Sequence, residues 1–314
     1  MTRVVLIVPL IATFLGCSAP SGDTLPRPDL SGRRARVVAS TTMIADLARQ
    51  IGGSHVEVSQ LMQAGVDPHG YRASAGDVQK MQQADLVLYN GLHLEGKMSD
   101  VFEQMSRRVR TVAITRNFDP ARDLRPAEEG YEGTHDPHVL FDVRLWMKAA
   151  DCVRDALSEL DPAHAEDYAA NNAKYQKVLA DLDVEVREKV KQLPESRRKL
   201  VTAHDAFYYF GAAYGFEVRG LQGISTNAEP STRDVQDLAR YLSENRVPAI
   251  FGETSVATRG IEAVQQAAKK GWNHQVKLAE GTLYSDALDE EGKPAGTYVG
   301  MIRHNVDTII ANLK

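Results

Sequence analysis

The stretch RVVASTTMIADLARQIGGSHVEVSQLM, residues 36–62, decides the fold, because a short β-branched run, a helical segment and a second extended run follow one another without a break. Strand alternating with helix is the signature of a parallel sheet with helices packed on its faces. The alternation continues through AGDVQKMQQA (75–84), DLVLYN (85–90), MSDVFEQMSRR (98–108) and VRTVAIT (109–115). It returns in the second half as KLVTAH (199–204), AFYYFGAAYG (206–215), FEVRGLQ (216–222), STRDVQDLARYLSEN (231–245), AIFGET (249–254), IEAVQQAAKK (261–270) and QVKLAEG (275–281), with a last helix near 297–313. The expected fold class is α/β, two doubly wound lobes with mostly parallel sheets.

One long helix is expected between the lobes. Asp161-Pro162 reads as an N-cap followed by proline at the first helical position, and helical character runs to Leu193, before Pro194. Tyr175, Leu179, Leu182, Val186, Val190 and Leu193 recur at steps of three and four, one apolar stripe facing the lobes. Such a helix is roughly 45 Å long, a stiff connector that suits small tilts better than a wide hinge. The expected organisation is an N-terminal lobe over 36–160, a linking helix over 161–194 and a C-terminal lobe over 195–314.

The chain has 314 residues, 43% hydrophobic and 25% charged, with a formal charge of −5. That length suits two lobes and that charge offers no basic footprint for nucleic acid. Residues 1–16 carry Arg3 and an apolar run too short for a lasting membrane span but suited to a signal peptide. Phe14-Leu15-Gly16-Cys17 resembles a bacterial lipobox, with Cys17 lipidated and residues 17–35 a Pro/Ser/Gly-rich tether. Cys152, in a helical pattern, is then left without a partner, so any metal must be held by nitrogen and oxygen.

Nine histidines are present. His69 follows the second strand of the first lobe, His138 ends the long loop after the fourth, His204 ends the first strand of the second lobe, and Asp286 follows its last strand. All four emerge at carboxyl ends of parallel strands, where open α/β sheets bind ligands. His69 and His138 each close an Asp-Pro-His tripeptide. His135, three residues before His138, is separated from it by Asp136-Pro137, whose extended backbone tends to point the two imidazoles apart. His138 is therefore the favoured ligand, and His135 at most a capture residue at the mouth. His55, His93, His164, His274 and His304 read as ordinary surface or capping residues.

VDPHGY, NGLHLEG, DPHVLFD, TAHDAFYYFGAAYGF, GISTNAEPST, IFGETSV and EGTLYSDAL, in this order, are similar to motifs of the metal-binding solute-binding lipoproteins of bacterial zinc/manganese ABC importers, the TroA-like group. The similarity runs from about residue 36 to the C-terminus. It implies a metal site in the interlobe cleft built from His69, His138, His204 and Asp286. It also implies an extracytoplasmic lipid-anchored monomer that delivers a divalent metal to an ABC permease and its ATPase. Leu140 and Asp142-Val143 stand where the family often has Trp and Asp-Pro, and Arg72-Ala73 where it often has Glu-Pro.

Three neutral imidazoles and one carboxylate suit Zn²⁺, with Mn²⁺ or Fe²⁺ as alternatives; the family's manganese-type members carry Glu at the position of His204. Four protein ligands fill a tetrahedral sphere, which argues for holding a metal and not for catalysis. The competing expectation is a zinc metallohydrolase in the same cleft with Glu253 as general base. The favoured role for Glu253 is to accept a hydrogen bond from a ligand imidazole. Because ligating imidazoles must be neutral, affinity is expected to fall below about pH 6.5.

Overall fold

In the computed structural model, which describes residues 25–128 and 130–314, the opening stretch is strand β1 (Ala35–Ala39), helix α1 (Thr42–Gly52) and strand β2 (Val56–Gln60). The expected signal peptide and Cys17 lie outside the described residues. Helix α1 starts where the Thr41 side chain accepts the Ile44 N–H and stops at Gly53, whose φ of 54° favours glycine. The lobe continues with α2 (Ala75–Gln82), β3 (Leu86–Tyr89), α3 (Ser99–Ser106) and β4 (Arg110–Ala113), giving a parallel sheet in the order β2-β1-β3-β4. A long loop then leads to α4 (Val143–Leu160).

The linking segment differs at its start from the expected helix. A 3-10 turn at Pro162–His164 precedes α5 (Ala165–Val190), 26 residues or roughly 39 Å. The Asp161 carboxylate accepts from the Tyr168 hydroxyl and lies 2.8 Å from His164 Nδ1, so it ties the turn down instead of capping α5. The stripe from Tyr175 to Leu193 is buried.

The second lobe holds β5 (Lys199–His204), α6 (Tyr208–Tyr214), β6 (Glu217–Gln222), α7 (Thr232–Glu244), β7 (Ala249–Ile250), α8 (Arg259–Trp272), β8 (Lys277–Leu278) and α9 (Tyr298–Leu313). Strands β5 and β6 pair in parallel, as do β7 and β8. Parallel bridges Thr202↔Phe251 and Glu253↔Leu283 carry the pairing on past the short β7 and β8. The strand order β6-β5-β7-β8 therefore repeats that of the first lobe. In such an order the crevice opens where the chain reverses direction across the sheet. Here that is between the ends of β5 and β7, the places of His204 and Glu253.

One hydrophobic cluster spans both lobes, from Val37 and Leu47 through Trp146, Leu179 and Phe207 to Tyr298 and Ile309. Helix α9 locks onto the first lobe at its beginning. Trp146 and Tyr298 stack with centroids 4.8 Å apart, the Tyr298 hydroxyl donates to Leu140 O, and the Tyr298 N–H donates to Asp46 Oδ2. Each large side chain in this shared core is worth about 1.5–3 kcal/mol of burial, so a wide separation of the lobes is costly and small loop movements are cheap.

Candidate metal centre

His69 sits in the loop between β2 and α2, and its turn is made by its own tripeptide. Asp67 Oδ1 accepts the His69 N–H at 2.9 Å while Pro68 fixes φ between them. Tyr71 anchors the loop to the first turn of α2 by donating its hydroxyl to Asp77 Oδ2 at 2.9 Å. The second lobe grips the same loop, because Thr226 Oγ1 hydrogen-bonds Asp67 Oδ2 and Asn227 Nδ2 donates to His69 O at 3.2 Å.

His138 repeats the turn. Asp136 Oδ1 accepts the His138 N–H at 2.9 Å, and the same oxygen lies 2.8 Å from the ring nitrogen Nδ1. Tyr209 of α6 donates to Asp136 O, and Asn90, past the end of β3, donates to Pro137 O. His204 ends β5. Glu253 Oε1 accepts its backbone N–H at 2.9 Å, and Oε2 lies 2.5 Å from Nδ1. Gly220 on β6 makes room for this strand end: a Cβ there would come within 2.6 Å of the His204 carbonyl carbon. Asp286 follows the bridge at Leu283 in a loop pinned by Asn305 of α9, which bonds both the N–H and the carbonyl of Tyr284.

These four side chains, though far apart in sequence, converge. One potential ligand atom from each of His69, His138, His204 and Asp286 lies within 4.8 Å of all the others. The Nε2 atoms of His69 and His138 are 3.3 Å apart. Asp286 Oδ1 is 3.5 Å from His138 Nε2 and 4.0 Å from His69 Nε2, and Asp286 Oδ2 is 3.3 Å from His204 Nε2. A tetrahedron with donor distances of about 2.0–2.1 Å has edges of roughly 3.3 Å, and the shortest separations here, His69 to His138 and Asp286 to His204, are of that size. All four residues are buried, and His204 Nε2 and Asp286 Oδ1 have no hydrogen-bond partner. Buried orphans of this kind fit a cation between them.

Charge inside the cage is unequal. Burial lowers His69 to about 3, leaving it neutral. Burial acts the same way on His138, but the hydrogen bond to Asp136 and the nearby Asp286 carboxylate outweigh it and push the ring up to about 10. At His204 burial is likewise outweighed, by the Glu253 and Asp286 carboxylates, and the ring stands at about 9. Burial opposes ionisation of Asp286, yet the surrounding imidazoles hold its carboxyl well below the usual range.

The other histidines stay outside. His135 Nδ1 lies 2.8 Å from Thr134 Oγ1 on the loop before α4. His55 stacks on His164, His274 and His304 lie against the carbonyls of Val247 and Thr282, and His93 pairs with Glu132. A cavity of about 310 Å³ bordered by His93, Tyr131, Glu132 and Asn227 reaches the cage at His69.

Glu253 turns both oxygens to the backbone N–H and Nδ1 side of His204, away from the Nε2 that faces the cage, which is no position for activating a water at the centre. Asp136, Asp67, Thr226 and Ser255, whose hydroxyl donates to Asp286 Oδ2, escaped the sequence reading. For the two aspartates a signal existed: both stand two residues before a histidine, the spacing at which a carboxylate caps a backbone N–H.

The profile of the family described as "Zinc-uptake complex component A periplasmic" matches residues 37–312. The manganese-binding lipoprotein MntA of Bacillus subtilis is 45% identical over 307 residues, 97% of each chain. The zinc-binding protein TroA of Treponema pallidum is 44% identical over 277 residues, 88% of each. The solved structure of the T. pallidum periplasmic zinc-binding protein superposes with a TM-score of 0.85, covering 89% of this chain and 99% of that one.

Proposed function

The chain belongs to the zinc-uptake component A family of metal-binding proteins that serve ABC importers, and from that premise we propose that His69, His138, His204 and Asp286 are the ligands of its cargo ion. The protein is a substrate-binding component that captures a divalent transition metal outside the cytoplasm for an ABC-type permease and its ATPase. The observation that carries the ligand assignment is the convergence of four buried side chains with one potential donor atom each within 4.8 Å of the others, His204 Nε2 and Asp286 Oδ1 being without a hydrogen-bond partner.

Among ions, the reading puts Zn²⁺ first, with Mn²⁺ and then Fe²⁺ behind it. Three imidazole nitrogens and one carboxylate are a borderline donor set, and a sphere of four suits zinc. The names of the relatives span zinc and manganese. Asp136 and Glu253 are read as the partners that fix the tautomers of His138 and His204. Cys17 is the proposed lipid anchor, and the protein is proposed to act as a monomer, as two lobes over 36–160 and 195–314 joined by the helix over 161–194. Release of the ion is proposed to come from displacement of the Asp286 loop, since the shared core resists a wide opening of the lobes.

Elemental analysis of purified protein and zinc titration of His69→Ala and His204→Ala test the assignment. One ion per chain is expected in the wild type, with affinity falling more than about a hundredfold in each variant. Unchanged affinity in both would sink it. Zinc-dependent ester or amide turnover abolished by Glu253→Gln would replace the carrier reading with the hydrolase one.

A further inference from the structure

The two oxygens of Asp286 are not equivalent. Oδ1 points at His138 and His69, is buried, and has no hydrogen-bond partner. Oδ2 faces His204 at 3.3 Å but also accepts a hydrogen bond from Ser255 Oγ at 3.2 Å. Ser255 is itself held: its hydroxyl lies 3.0 Å from Ser285 Oγ, and the residue before it, Thr254, donates its N–H to Leu283 O at 2.9 Å. The hydroxyl therefore comes from a braced loop and leans on one oxygen only.

From this asymmetry we infer that Ser255 sets the metal preference of the cage by making Asp286 an unequal donor, Oδ1 strong and Oδ2 weak. A hydrogen bond donated to a carboxylate oxygen withdraws charge from it and holds the torsion of the group. With Oδ2 so occupied, the cage offers three nitrogens and one good oxygen. That set completes the sphere of a small ion content with four donors, such as Zn²⁺. Mn²⁺ prefers more oxygen around it, and the fifth donor within reach is the oxygen that Ser255 engages. Ser255 is thus a positioning residue, acting on the ion through Asp286. The inference rests on the ligand assignment above and adds to it the reason one ion is preferred over another.

Ser255→Ala removes the hydroxyl and leaves all four ligands in place. The ratio of zinc to manganese affinity, measured by competition at buffered free-ion concentrations, is expected to fall about tenfold, the size of one hydrogen bond to a charged group. Co²⁺ bound in place of the native ion reports the coordination directly: the intense visible bands of a four-donor sphere are expected to weaken in Ser255→Ala as Oδ2 joins. Ser255→Thr, which keeps the hydroxyl, is expected to restore both readings. An unchanged affinity ratio with an unchanged cobalt spectrum overturns the inference, as does a Ser255→Thr variant that behaves like Ser255→Ala. A wild-type protein that binds neither ion would instead overturn the ligand assignment itself.

Discussion

Asp67-Pro68-His69 and Asp136-Pro137-His138 are the same tripeptide folded into the same turn, yet the two copies hold their histidines differently. In both, the aspartate accepts the histidine N–H at 2.9 Å. Asp136 then uses that oxygen a second time, on the ring of its own histidine, and is held by Tyr209 donating to its own carbonyl and Asn90 donating to that of Pro137. Asp67 gives its second oxygen to Thr226 in the other lobe and leaves the His69 ring alone. One copy therefore charges and orients an imidazole, and the other fastens the two lobes together over the cage. Identical local sequence fixes a backbone turn; what surrounds the turn decides what the spare oxygen does.

The largest consequence is in pH. In the metal-free cage His138 and His204, pushed up to about 10 and about 9, carry protons at neutral pH, while His69, lowered to about 3, carries none. On the proposed ligand assignment an incoming ion displaces these two protons, so affinity is expected to rise by about two decades per pH unit between pH 6 and 8. The slope should fall to about one decade per unit as pH climbs through about 9 and vanish as it climbs through about 10. This replaces the sequence-based expectation of a decline only below about 6.5, because that figure belongs to a free imidazole. Calorimetric titration in buffers of different ionisation enthalpy counts the protons directly; a count of zero at pH 7 would erase the difference between the two copies.

Next in size is the effect of the orienting carboxylate. Asp136→Asn keeps the shape and the turn but removes the charge behind His138. Zinc affinity is expected to drop about 10- to 100-fold, and the proton count to fall towards one. If Asp67→Asn has the same effect on both quantities, the two copies are equivalent after all. The smallest effect is expected from Thr226→Val, which deletes only the interlobe hydrogen bond of Asp67. A change of about two- to tenfold is predicted, seen as faster dissociation in a stopped-flow chelator chase, with the proton count at two.

The strand and helix alternation was legible because periodicity and β-branching are local properties, and it was enough to set the parallel sheets, with His204 closing β5 and His69, His138 and Asp286 in the loops that follow other strands. Pro137, a local restraint, also separated His138 from His135. The start of α5 was misread for a nonlocal reason: Asp161 has a better use for its carboxylate in Tyr168 and His164 than in capping. That β7 and β8 shrink to two residues each, with bridges carrying on the sheet, is likewise a matter of neighbours. By itself, then, the sequence determined the elements, their order and the loops in which the candidate ligands lie. Only the tertiary structure decided the spacing of the four donor atoms, the charges on the imidazoles and the uneven partners of Asp286. Those depend on distances between groups far apart in the chain, and on how completely water is removed from around them.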